Sequence, residues 1–180
     1  MNSPPPASVL RVLLSADQIR ERVMALGSQL THDYAGVSEL RVIGILKGAW
    51  VFFADLVRQI ELPVTCDFIG ASSYGRQMMY SGHTRFNFGL TEPVTGMDVL
   101  LVEDIIDTGH TIQGLYEALG RQFPRRMRTC TLLDKPSRRR VAFTPDYVGF
   151  TIPDHFVVGY GLDFAGAYRH LPHIAIYKES

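Results

Sequence analysis

The stretch Val99-Leu100-Leu101-Val102-Glu103-Asp104-Ile105-Ile106-Asp107-Thr108-Gly109-His110-Thr111 constrains the fold more than any other part of the chain. Val99 to Val102 is an unbroken apolar run with the length and branching of a strand buried on both faces. Two adjacent acids follow, then two isoleucines, then a third acid opening Asp-Thr-Gly-His-Thr. From Thr111 the apolar spacing becomes helical, with Ile112, Leu115, Tyr116 and Leu119 on one face. The acids and the Thr/Gly turn are thus expected between the carboxyl end of a buried strand and the amino end of a helix. That crevice is where open α/β sheets hold their ligands.

The residue types of the turn point to a particular ligand chemistry. A helix N-terminus offers unpaired N–H groups and about half a unit of positive charge. Thr108 and Gly109 let an anion approach that backbone, and the hydroxyls of Thr108 and Thr111 add donors, so residues 108–111 form a phosphate cradle. Glu103 and Asp104 would repel a phosphate and require sugar hydroxyls, a divalent cation, or both. A sugar phosphate satisfies both halves. A solvated acidic turn would account for Glu103-Asp104 alone, but not for the third acid and the Thr-Gly-x-Thr run beside it.

This stretch resembles the phosphoribosyl-pyrophosphate motif of type I phosphoribosyltransferases, in the form used by hypoxanthine-guanine phosphoribosyltransferases. The remaining chain fits an α/β domain of that kind. At 180 residues, 46% hydrophobic and 20% charged, it is long enough for one well-cored domain. Ser15-Ala-Asp-Gln18 has the form of a capping box before a helix carrying Ile19, Val23, Leu26, Leu30 and Tyr34. Leu40 to Leu46, Val64 to Ala71 and Cys130 to Leu133 are expected strands, Val51 to Ile60 a helix, and Thr84 to Leu90 a returning strand. Val9 to Leu14, Tyr147 to Thr151, Phe156 to Tyr160 and Ile174 to Tyr177 are short extended runs. The expected fold class is a parallel sheet flanked by helices, the type I phosphoribosyltransferase fold, with a small C-terminal β-rich hood. Residues 1–8 are expected to be a disordered tail and residues 9–180 a single domain.

Eighteen basic and eighteen acidic residues cancel, which argues against a nucleic-acid surface. Arg125, Arg126 and Arg128 with Arg138-Arg139-Arg140 are most simply a solvated basic edge. Cys66 and Cys130 are expected to be packed free thiols, and nothing in the chain reads as a signal peptide or membrane span. A cytoplasmic protein is the expectation. The histidines show no His-x-x-x-His pair, there is no Gly-x-x-x-x-Gly-Lys-Ser/Thr loop, and Gly159-Tyr-Gly161 fails the dinucleotide fingerprint. Gly-Ala-Ser-Ser-Tyr-Gly is not a nucleophile elbow.

The resemblance assigns roles across most of the chain. Residues 107–111 would bind the 5′-phosphate of phosphoribosyl pyrophosphate, with His110 a departure inside that turn. Glu103 and Asp104 would hold the ribose hydroxyls and Mg²⁺. Lys47-Gly48 corresponds to the pyrophosphate loop, which in the family has a cis peptide before the lysine, and Arg169 lies near pyrophosphate. Ser73 and Tyr74 match a lid over the reacting sugar. Lys135 matches the lysine that donates to the 6-oxo group of a purine, Phe156 the ring that stacks on it, and Val157 the backbone that reads its edge. Asp163 would sit at the purine site and take a second Mg²⁺. Asp107 would be the catalytic residue, accepting the N7 proton of the base. The implied reaction joins hypoxanthine or guanine to phosphoribosyl pyrophosphate. Mg²⁺ is the cofactor and a homodimer or homotetramer the assembly. The competing readings are a non-catalytic sensor of phosphoribosyl pyrophosphate that binds RNA, and a phosphoribosyltransferase for xanthine or another base.

Overall fold

The computed structural model describes residues 10–71 and 86–178. The N-terminal tail, the lid residues Ser73 and Tyr74, and Thr84 lie outside the described residues. The chain runs through β1 (Leu10–Leu14), α1 (Ala16–Asp33), β2 (Leu40–Leu46), α2 (Trp50–Val57), β3 (Val64–Ala71) and β4 (Phe86–Phe88). It continues with β5 (Asp98–Ile106), α3 (His110–Gly120), β6 (Arg126–Asp134), β7 (Tyr147–Thr151), β8 (Val157–Val158) and β9 (Ile174–Tyr177).

The main sheet has the order β4-β3-β2-β5-β6-β7, parallel except for β4, which runs antiparallel on β3. Its central strands alternate as a two-sided sheet must. Val42, Leu100, Val102 and Leu132 face a core shared with α1 and α2, whereas Ile43, Ile45, Val99 and Leu101 face a core shared with α3. Helix α1 starts at a true capping box: Ser15 Oγ accepts from the Gln18 N–H at 3.2 Å, and Gln18 Oε1 accepts from the Ser15 N–H at 2.9 Å. Such a cap contributes about 1 kcal/mol. Its apolar stripe, Ile19, Val23, Leu26 and Leu30, is buried, and so is Tyr34 at its end.

Four expectations are corrected. First, β5 does not stop at Val102. It continues through Glu103 and Asp104 to Ile106, because β6 keeps pairing there, with Glu103 opposite Thr131 and Ile105 opposite Leu133. Second, the hood is not purely C-terminal. β9 is sandwiched between β8 and the N-terminal β1, so both chain ends build it. Third, Cys66 is exposed rather than packed, while Cys130 is buried. Among the described residues β4 pairs only with Gly70 and Ala71 of β3. Fourth, the arginines are not a simple solvated edge. Arg125 and Arg126 both pair with the buried Asp98, Arg126 lies 4.2 Å over the Tyr34 ring, and Arg139 is mostly buried against Asp134.

Candidate active site

The carboxyl ends of β2, β5 and β6 converge on one crevice, and β5 supplies its floor. Glu103 and Asp104 are each only 8% exposed. The Ile105 N–H donates to Asp104 Oδ1 at 2.8 Å, whereas Glu103 Oε2 is buried without a hydrogen-bond partner among the described residues. Burial first, and the neighbouring Asp104 second, hold the Glu103 carboxyl well above the usual range; burial also raises Asp104. Two carboxyls buried side by side with an unanswered oxygen form a site poised for a cation and hydroxyl donors. Mg²⁺ fits Glu103 and Asp104 on this ground. Among the described residues no three acidic, histidine or cysteine side chains converge on one ion. Asp163 does not join the pair: Arg169 Nη2 lies 2.5 Å from its Oδ1, and the Gly166 N–H donates to its Oδ2 at 2.7 Å.

The turn after β2 closes one side. The Leu46–Lys47 peptide is cis and Lys47 is exposed. A Cβ on Gly48 would stand 1.5 Å from Asp104 Oδ2, so only glycine lets this loop lie on that carboxylate. From the other side, a Cβ on Gly161 (φ +99°) would stand 2.2 Å from the Gly48 carbonyl oxygen. Arg169 Nη1 donates to the Gly161 carbonyl at 2.6 Å. Lys47-Gly48, Asp104 and the Gly161–Arg169 loop therefore meet.

Gly109 (φ +87°) precedes α3, whose N-terminus carries no side-chain cap. The donors of that first turn are consequently available to an anion. Thr108 Oγ1 and His110 Nδ1 lie 3.2 Å apart at its rim. The turn is held from behind by the segment after β6: the Arg140 N–H donates to the Thr108 carbonyl at 2.9 Å, and Arg139 Nε to the Asp107 carbonyl at 3.1 Å.

Lys135 and the hood shape the opposite wall. The Lys135 N–H donates to the Ile106 carbonyl at 3.0 Å, tying it to the end of β5. Its Nζ is buried, donates to the His155 carbonyl at 2.6 Å and lies 3.8 Å from Asp154. Burial lowers the Lys135 pKa, opposed by the charges of Asp107 and Asp154. Phe156 is 53% exposed, braced edge-on by Phe164 and Tyr177 at 5.8 Å, while Val157 is buried on β8. An aromatic ring left this open beside a buried cationic donor is suited to stack on a planar base. Asp107 stands between the phosphate turn and Lys135, with Arg138 Nε 2.7 Å from its Oδ1. Arg138, Asp154 and Gly161 are site residues that the sequence reading missed. The arginine run was visible, but its partners lie far away in the chain.

The ligand-free acid pair makes a stability prediction. A carboxyl whose folded pKa lies above its unfolded value of 4.5 destabilises the fold increasingly as pH rises from about 4.5 through the folded value. Glu103→Gln removes that penalty, so at neutral pH its Tm should exceed wild type by roughly 2–8 °C, from ~1–2 kcal/mol at this chain length. Calorimetry of both proteins at pH 5 and pH 8 checks it. An equal or lower Tm for the variant at pH 8 would count against the strained pair.

Residues 13–165 match the family model described as the phosphoribosyl transferase domain. The chain is 45% identical to the hypoxanthine phosphoribosyltransferase of Salmonella typhimurium, over 92% of this chain and 93% of that one. It is 43% identical to the enzyme of the same name from Escherichia coli, with the same coverage. Among solved structures, a hypoxanthine-guanine phosphoribosyltransferase from Bacillus anthracis superposes with a TM-score of 0.88 at 46% identity, covering 93% of this chain and 98% of that one. A hypoxanthine phosphoribosyltransferase from Staphylococcus aureus gives 0.89 at 40% identity, covering 95% and 93%. Motif, fold and near end-to-end similarity agree: the chain belongs to the phosphoribosyl transferase family, among its hypoxanthine phosphoribosyltransferases.

Proposed function

We propose that the protein transfers the 5-phosphoribosyl group from phosphoribosyl pyrophosphate to hypoxanthine or guanine, releasing pyrophosphate and the nucleoside 5′-monophosphate. The observation that carries this reading is the placement of two buried carboxyls, one with an unpartnered oxygen on Glu103, between an uncapped helix N-terminus and a Lys135/Phe156 wall. Residues 107–111 bind the 5′-phosphate through the first turn of α3. Glu103 and Asp104 hold the ribose hydroxyls and Mg²⁺, keeping negative charge beneath the anomeric carbon as it becomes cationic. Bound there, Mg²⁺ would neutralise charge on the departing pyrophosphate. Lys47, Gly48 and Arg169 surround the pyrophosphate. Phe156 stacks on the base and backbone groups near Val157 read its edge. Asp107 takes or holds the N7 proton as N9 attacks. Ser73 and Tyr74 are proposed to exclude water during transfer. Asp163 is proposed near the base and a second Mg²⁺, which would require it to leave Arg169. No helix among the described residues is long and apolar enough to cross a membrane; a cytoplasmic homodimer or homotetramer completes the proposal.

Lys135 sets the choice of base. With one N–H spent on the His155 carbonyl, the ammonium keeps donors for a 6-oxo oxygen. Adenine would face it with a 6-amino donor, leaving buried donors opposed. Steady-state kinetics should therefore show kcat/KM for hypoxanthine and guanine above that for adenine by at least ~10³-fold. Lys135→Ala should lose roughly 10–10²-fold on both oxopurines. Equal use of adenine, or an unaffected Lys135→Ala enzyme, would refute this recognition. Failure to form nucleotide from any purine, together with salt-sensitive RNA binding, would overturn the enzymatic reading itself.

A further inference from the structure

Arg138 has no part in the roles assigned so far, yet it is placed between the two residues that would read adjacent atoms of the purine. Its Nε lies 2.7 Å from Asp107 Oδ1, while its Nη1 lies 3.2 Å from both oxygens of Asp154. Asp154 in turn lies 3.8 Å from Lys135 Nζ. A chain of alternating charge, Lys135–Asp154–Arg138–Asp107, thus joins the donor meant for O6 to the acceptor meant for N7. Those two purine atoms share one edge, so the spacing of the two protein groups must be held.

The backbone reinforces that spacing. Lys135 and Arg138 leave one short 3₁₀ turn, in which the Arg138 N–H donates to the Lys135 carbonyl at 3.1 Å. Arg139 continues the hold by donating to the Asp107 carbonyl. The contact also orients the carboxylate. Asp107 Oδ1 is buried beside Arg138 Nε and makes no hydrogen bond among the described residues, so the 2.7 Å contact is one of charge; the side chain as a whole is 36% exposed. The pair itself is half-exposed, and pairs of that kind contribute little to stability. What Arg138 adds is aim.

We infer that Arg138 is a positioning residue that fixes the Asp107 carboxylate, and its distance from Lys135, for recognition of the N7/O6 edge; this rests on the reading of Asp107 as the group facing N7. A planar guanidinium can span two carboxylates with fixed geometry where a lysine ammonium cannot.

The test is kinetic, on the full chain, with hypoxanthine and phosphoribosyl pyrophosphate. Arg138→Met should lower kcat about tenfold, as small misplacements of a catalytic group do. KM for phosphoribosyl pyrophosphate and Tm should stay near wild type, and Arg138→Lys should recover only part of the loss. Added to Asp107→Asn, Arg138→Met should cost nothing further. Wild-type kcat in Arg138→Met beside an impaired Asp107→Asn would overturn the Arg138 role alone. So would a full additional loss in the double variant, or a loss of Tm that tracks the loss of kcat. Wild-type turnover in Asp107→Asn would instead overturn the reading of Asp107, and the positioning role with it.

Discussion

Asp107→Asn should lower kcat for hypoxanthine by about 10²–10⁴-fold, the range that general-base help supplies, while phosphoribosyl pyrophosphate binds within a few-fold of wild type. The asparagine keeps the shape of the side chain and the backbone of the turn. Asp107 touches the phosphate region through its carbonyl, which accepts from Arg139 at 3.1 Å, and that contact survives. What is lost is the charge facing Arg138 and the acceptor for the N7 proton. Turnover and affinity should therefore separate. Single-turnover kinetics beside calorimetric titration of phosphoribosyl pyrophosphate would show it. Reduced affinity with intact single-turnover rate would make Asp107 a binding residue and remove it from the chemistry.

How much of this was legible in the sequence depends on whether a residue's partner is local or distant. Strands β2 and β3 were read to the residue, since their apolar runs are bounded by turn signals. Helix α1 was equally legible because its capping box and its buried stripe are local patterns. The length of β5 was not. Glu103 and Asp104 end the apolar pattern, but the ladder to β6 does not depend on side-chain polarity and carries the strand on to Ile106. The hood shows the same limit. β1 could be read as extended, but only its register with β9 places it there, with Leu10 opposite Tyr177. At the site, the phosphate turn and acid pair form one contiguous stretch and were found together. Arg138 and Asp154 were missed because an arginine run is solvated unless acids from elsewhere meet it. Here Asp98, Asp107, Asp134 and Asp154 do so.

The Lys47-Gly48 loop offers the other large effect. Gly48→Ala places a methyl where Asp104 Oδ2 now lies, 1.5 Å from that oxygen and 2.5 Å from its carboxyl carbon. Something must move, and each route damages the site. Asp104 is held through Oδ1 by the Ile105 N–H, and displacement within its buried surroundings would disturb Glu103, to which it is electrostatically tied. The loop has little room to retreat, because the Gly48 carbonyl already packs where a side chain on Gly161 would stand. Misplacement of a binding carboxylate by about 1 Å costs on the order of 10²-fold, so kcat/KM for phosphoribosyl pyrophosphate should fall by about that factor with far-UV circular dichroism unchanged. Gly161→Ala attacks the same loop from the opposite side, with the added strain of φ +99°, and should produce a loss of the same kind. If Gly48→Ala instead works within about threefold of wild type, a factor worth under ~1 kcal/mol, the Asp104 carboxylate is not needed where the structure puts it. The proposed division of labour between Asp104 on ribose and Mg²⁺ and Asp107 on the base would then fail at its first half.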